Sequence, residues 1–328
     1  MIDSRHTPVL ITYALFAALF LLGSLQYEGL GSLRVFLNLF TDNAFLAVTA
    51  IGMTFVILSG GIDLSVGSVI AFTGVLTAVL IQAGWPLVTV FPLVLAIGCI
   101  FGGGMGLLIH YYKLQPFIVT LAGMFLMRGL AVVVSERSVP IEHEVYDTFN
   151  TAGLSLPGGA LISSQALLLL IVLLAALVLA HYRRFGTYVY AIGGSPESAR
   201  LMAVPLARTT IGIYALSSFL AALAGIMFSF YTSSGYALAA VGIELDAIAA
   251  VVIGGTLLTG GSGYVIGTLG GVLLMGLVQT YIAFNGSLNS WWTKIVVGIL
   301  VLVFVCFQRL NTFGEGVGKQ KAGTRTAA

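Results

Sequence analysis

Apolar residues run along the chain in blocks, parted by short polar breaks. The blocks lie at 9–25, 44–58, 69–83, 88–109, 116–135, 165–180, 209–230, 243–258, 264–284 and 291–307. Each predicts a membrane helix. The expected class is an all-α polytopic membrane protein with about ten transmembrane helices. Several blocks are only about 15 to 17 residues long, short for a span, so eight or nine spans plus re-entrant pieces fit the pattern equally. The stretch 29–43 is mixed and amphipathic, with Arg34, and suits an interfacial position.

The break between the second and third blocks stands apart. Thr54-Phe-Val-Ile-Leu-Ser-Gly-Gly-Ile-Asp-Leu-Ser-Val-Gly-Ser68 sets two glycines, a carboxylate and two serines between apolar runs. Paired glycines loosen a helix, and Asp63 is costly in hydrocarbon without a partner or water. One expectation is a helix break facing the protein interior, because broken backbone at membrane depth survives only against protein or a polar cavity. The other is a turn at the membrane surface with Asp63 wet.

Composition fixes the class. Of 328 residues 59% are hydrophobic and 8% charged, against roughly 25% charged in soluble domains. The net charge of +2 says nothing about nucleic acid, and no nucleic-acid partner is expected; the bilayer is. Placement of charge matters more. The loop at 136–163 carries Glu136, Glu142, Glu144 and Asp147 against Arg137, whereas 181–208 carries Arg183, Arg184, Arg200 and Arg208 against Glu197. Basic loops stay cytoplasmic, so 181–208 is expected inside and 136–163 outside. With about ten spans, both termini and the basic tail 308–328 fall in the cytoplasm. The whole chain, 1–328, reads as one transmembrane domain.

A weak internal symmetry is visible. Leu58-Ser-Gly-Gly61 with Gly67-Ser68 recurs 200 residues later as Leu258-Thr-Gly-Gly261 with Gly267-Thr268. Gly98, Gly102 and Gly106, and again Gly263, Gly267 and Gly271, form small-xxx-small runs that let helices approach closely. The two patterns imply different alignments of the halves.

No enzymatic constellation is present. Gly314-Glu-Gly-Val-Gly-Lys319 is one residue short of a phosphate loop and follows no strand. Glu142-His143-Glu144 lacks further ligands nearby for a metal site. No cofactor is expected. In the basic loop, Gly194, Ser195, Pro196, Glu197, Ser198, Ala199 and Arg200 read as a capped two-turn helix, with Ser195 as N-cap, Pro196 at the first position and Pro205 as the stop. So short a helix needs support from elsewhere. It either docks into a cytoplasmic partner or lies on the membrane.

Three blocks resemble the permease subunits of ribose-type bacterial ABC sugar importers. They are Ala50–Ser68, Arg184-Phe-Gly186 with Ala191–Arg200, and Glu244-Leu-Asp-Ala-Ile-Ala-Ala-Val-Val-Ile-Gly-Gly-Thr256. Trp291-Trp-Thr-Lys294 and Gly235-Tyr-Ala-Leu238 are most similar to one of the two permeases of the galactofuranose importer. The resemblance implies an ABC ATPase subunit, a second permease subunit and a periplasmic sugar-binding protein as partners. It also makes residues 194–200 the coupling segment to the ATPase. On that reading Asn43, Thr54, Asp63, Ser65, Ser68, Glu244, Asp246, Gln279 and Tyr281 are candidates for the sugar pathway, the alternative for each being an interhelical hydrogen bond. A carrier driven by an ion gradient through Asp63, Glu244 and Asp246, or a like-folded permease for nucleosides or branched amino acids, are the competing classes.

Overall fold

The computed structural model describes residues 6–155, 159–286, 288–289 and 291–306. The first five residues with Arg5, and the tail with Gly314–Lys319, lie outside them. The helices are α1 (Thr7–Gln26), α2 (Leu33–Asp42), α3 (Ala44–Leu58), α4 (Val66–Gln82), α5 (Leu87–Tyr111), α6 (Pro116–Val134), α7 (Glu144–Thr151), α8 (Ser164–His181), α9 (Arg184–Gly194), α10 (Pro196–Leu201), α11 (Leu206–Thr232), α12 (Ile243–Ile253), α13 (Val265–Asn285) and α14 (Trp291–Cys306). Each of the ten apolar blocks contains a helix, though residues 254–258 of the eighth are turn and irregular chain and Phe307 lies outside the described residues. Six of those helices, α1, α5, α6, α8, α11 and α13, are long and apolar enough to cross a membrane alone. A seventh crossing arises if α2 and α3, bent by 55° at Asn43, act as one span.

Four short strands qualify the all-α expectation. β1 (Val139–Pro140) pairs antiparallel with β4 (Ser234–Gly235), and β2 (Gly153–Ser155) with β3 (Leu161–Ser163). All lie in segments expected to be loops. With α7 they build one end of the molecule, here called the hairpin face. His143 is the N-cap of α7, its Nδ1 accepting the Val145 N–H at 3.1 Å, so the Glu-His-Glu run has a structural use. Tyr146 stacks on Phe230 at 4.1 Å and shares a 3.0 Å hydrogen bond with Ser229, which fastens α7 over the end of α11. Burial pushes the Tyr146 hydroxyl up to about 12.

Helix α8 separates this end from the one carrying α9 and α10. The core is α3 and α11. Every residue of α3 except Phe45 is buried, as a helix apolar on all sides requires. α1 buries only Thr12, Phe16 and Gly23 and sits at the periphery. α5 and α11 meet along the first glycine run: a Cβ on Gly98 would strike Ala222, on Gly102 Tyr214 O and Ser218, and on Gly106 Ile211. Gly267 and Gly271 do the same for α13 against Gly254 and Ala250. Both runs are therefore packing devices, whichever alignment of the halves one prefers.

Gly104 faces open space one residue pair from Gly102. Gly102→Ala should cost about 1–3 kcal/mol through overpacking, and Gly104→Ala nothing comparable. Thermal unfolding of the two purified variants in detergent checks this.

Candidate functional site: the broken span and the glycine face

Helix α3 ends at Leu58, and Gly60 turns the chain with φ +83°. Residues 61–65 then run back, non-helical, to the start of α4. Asp63 pins this return. It is 0% exposed. Its Oδ1 accepts the Ser65 N–H at 3.0 Å and the Ser65 hydroxyl at 2.6 Å, and its Oδ2 accepts the Ser217 hydroxyl of α11 at 2.8 Å. Thr120 of α6 donates to Ile62 O at 3.1 Å, and Ser68 donates to Ser65 O at 2.7 Å. Of the two expectations for this stretch, the interior break is the one seen. The carboxylate meets protein hydroxyls on all sides rather than an open passage.

The other sequence candidates divide into two groups. Asn43 is buried, donates to Leu39 O at 2.9 Å and lies against Gly276. Thr54 donates to Ala50 O and bonds Thr268 at 2.7 Å, tying α3 to α13. Tyr281 donates to Gln26 Oε1 at 3.0 Å and meets Tyr27 edge-on. These side chains join helices. By contrast, Glu244, Asp246 and Gln279 lie near open surface. Glu244 Oε1 accepts the Gly242 N–H at 3.2 Å, while its Oε2 is turned inward against Gly67, buried and without a hydrogen-bond partner. Asp246 binds Lys294 at 2.6 Å. Gln279 lines a cleft of about 540 Å³ with Trp291, Thr293 and Lys294. Arg128, a charge inside a predicted span, donates to Ala237 O at 2.7 Å and Ala239 O at 2.6 Å. Ser217 and Lys294 were not singled out as site residues; a lone hydroxyl on an apolar helix carries no sign of a partner 154 positions away.

The end opposite the hairpin face is a knot of glycines. The Gly261 N–H donates to Leu58 O at 2.9 Å, joining the two breaks that the 200-residue offset relates. A Cβ on Gly260 would meet Gly60 at 2.8 Å. Gly193, at the end of α9, presses on both: a Cβ there would collide with Leu58 O and Gly261 N. Tyr190 of α9 donates to Gly263 O at 2.7 Å. Burial, and then the neighbouring Tyr264, push the Tyr190 hydroxyl up to about 12, so it stays a donor at any physiological pH.

From this knot α10 projects. Ser195 caps it, its hydroxyl accepting the Ser198 N–H at 3.2 Å, with Pro196 in the first turn. It spans six residues, close to the two turns expected, and ends at Leu201, before Ala203 takes φ +57°. Only Ala199 is buried. Glu197, Ser198 and Arg200 are exposed, and so are Leu201 at 89% and Met202 at 65%. The preceding helix α9 was not anticipated: Gly186 and Gly193-Gly194 read as loop residues, but Gly186 and Gly193 serve close approach to Ala180 and Leu58.

Residues 35–305 match the family described as the branched-chain amino acid transport system / permease component. The chain belongs to this permease family. The permease is 56% identical over 93% of its length, and 92% of the relative's, to the inner membrane ABC transporter permease protein YjfF of Escherichia coli K12. It is 38% identical to the fructose import permease protein FruG of Bifidobacterium longum, over 94% of the chain and 92% of the relative. It is 37% identical to the ribose import permease protein RbsC of E. coli K12, over 82% and 83%. No solved structure matches. The permease is thus a multi-pass inner-membrane protein and a non-catalytic subunit.

Asp63→Ala leaves two buried hydroxyls and an N–H without their acceptor and should destabilise the permease by about 1–3 kcal/mol. Asp63→Asn, which keeps one acceptor oxygen, should lose less. Unfolding temperatures of both variants in detergent, against the parent, decide it.

Proposed function

We propose that this permease is one transmembrane domain of an ATP-driven importer that carries a monosaccharide across the bacterial inner membrane. The sugar is galactofuranose or a close relative. The glycine face lies in the cytoplasm, as its arginines favour. Both termini lie on that side, and all ten apolar helices belong to the membrane domain, the shorter ones shielded by the longer. An ABC ATPase subunit grips α10, a second permease subunit completes the passage, and a periplasmic binding protein delivers the sugar to the hairpin face. The sugar class is supported by the fructose and ribose import permeases among the relatives. The galactofuranose assignment rests on the resemblance carried by Trp291–Lys294 and Gly235–Leu238.

One observation carries the coupling role. α10 is polar on most of its surface, ends in two exposed apolar side chains, and is seated on backbone shared by both breaks. Leu201 lies beyond the membrane spans, where an exposed leucine beside a capped helix suits a protein pocket. ATP binding draws the ATPases together, α10 follows, and Gly193 presses on Leu58 and Gly261. The breaks at 59–65 and 254–264 then shift the helices they join. The chemistry of hydrolysis belongs to the ATPase; the permease converts displacement into opening.

Leu201→Asp should lower ATPase co-purification and sugar uptake by about tenfold or more, as expected for a central apolar anchor, while the permease still inserts. Arg200→Glu combined with Glu197→Arg should weaken both as well. Full ATPase binding and uptake in these variants would refute the docking role. Uptake of galactose, ribose, fructose and leucine in competition, in ATP-depleted and proton-uncoupled cells, tests the sugar and the energy source.

A further inference from the structure

We infer that the segment from Tyr236 to Leu245 walls the water-filled passage through which the sugar moves. This rests on the importer reading above. After β4 the chain leaves the hairpin face and drops back into the membrane. A Cβ on Gly67 would run into the Ala240 carbonyl and the Glu244 carboxylate. Gly67 is fifteen residues from the end of α4 at the hairpin face, about 22 Å deep at 1.5 Å per residue. Arg128 ties the start of the segment to α6 at a shallower level. It holds Ala237 O and Ala239 O from a point about 9 Å below the hairpin-face end of α6 and about 18 Å from the other end.

At that depth the backbone is not helical. Residues 236–242 are turns and irregular chain, with Ala240 at φ +58° and Gly242 at φ +87°. Irregular backbone cannot face lipid; it must face protein or water. Yet Tyr236, Leu238 and Val241 are exposed, Val241 at 70%, and so is Leu245 in the first turn of α12, at 62%. Lipid is thereby excluded as the neighbour of the first three. Water is favoured over a dry protein contact by the charges gathered there. Asp246, itself partly exposed, pairs with half-exposed Lys294, which also borders the cleft of Gln279 and Trp291. An aromatic ring and small aliphatic groups beside scattered polar groups offer a sugar brief contacts without a deep well.

The test uses single cysteines in a Cys99→Ala, Cys306→Ala background, in cells making the complete importer. The probe is a membrane-impermeant, positively charged methanethiosulfonate reagent. Val241→Cys and Leu245→Cys should react about tenfold or more faster than Ala18→Cys on peripheral α1, since hydrocarbon excludes a charged reagent. Leu238→Cys serves if either variant fails to insert. Rates no greater than that of Ala18→Cys overturn the inference. So does oxidative cross-linking of Val241→Cys to the second permease without labelling, which would mark a dry subunit interface. ATP-dependent D-galactose and D-ribose uptake is measured in the same unlabelled cells. Loss of uptake in the parent importer counts against the importer reading, whereas labelling that fails in cells still transporting counts against the passage wall alone.

Discussion

Every main-chain N–H and C=O inside the bilayer must find its partner within the protein. An unbroken helix meets this demand by itself. This permease interrupts its helices at 59–65 and leaves 236–242 non-helical, so it must supply partners from neighbouring elements. Asp63, Ser68 and Thr120 supply them at 59–65, and Arg128 supplies two at 236–242. These polar residues in an oily chain have the same use: they let the backbone be irregular where a continuous helix would be rigid. The fully buried α3 and the long α11 form the frame against which the irregular pieces are held.

Much of this was legible in the sequence, for physical reasons. Long apolar blocks have one outcome in a membrane, and each of the ten contains a helix. The Gly60-Gly61 pair and Asp63 announced the break because glycine and carboxylate are both expensive inside a lipid-facing helix. What could not be read is the set of partners. Asp63 was as consistent with a wet turn as with a buried anchor until Ser217 was found 2.8 Å away. α9 was hidden because its glycines look like loop residues, and the real use of Gly186 and Gly193 is tertiary contact with Ala180 and Leu58. α7 was hidden because its eight residues are too polar for a membrane pattern; its stability comes from Tyr146 seated on Phe230. The match between Leu58–Gly61 and Leu258–Gly261 looked like chance in a chain with 41 glycines, yet the two turns touch.

That contact bears on how force would travel. Side chains can change rotamer and absorb a push; backbone against backbone cannot. At Gly193 there is no side chain, and Leu58 O and Gly261 N leave no room for one. A displacement of α9 and α10 would thus be felt at 59–65 and at 254–264 without slack. Glycine here does not confer looseness. It removes the compliant layer between a surface helix and the two points where the membrane helices are already interrupted.

A transporter also has to keep its anchors apart from its passage. If Asp63 lined the route, each passing hydroxyl would compete with Ser65 and Ser217 for the group that holds α4 in place. Burying that carboxylate among protein donors leaves the break independent of cargo. The groups left near open surface are of another kind: an ion pair with one half-exposed partner, and an exposed tryptophan. None of these is part of the scaffold's hydrogen bonding at the first break. Were a solute to exchange water for such groups, the hydrogen bonds that hold Asp63 would be left as they are.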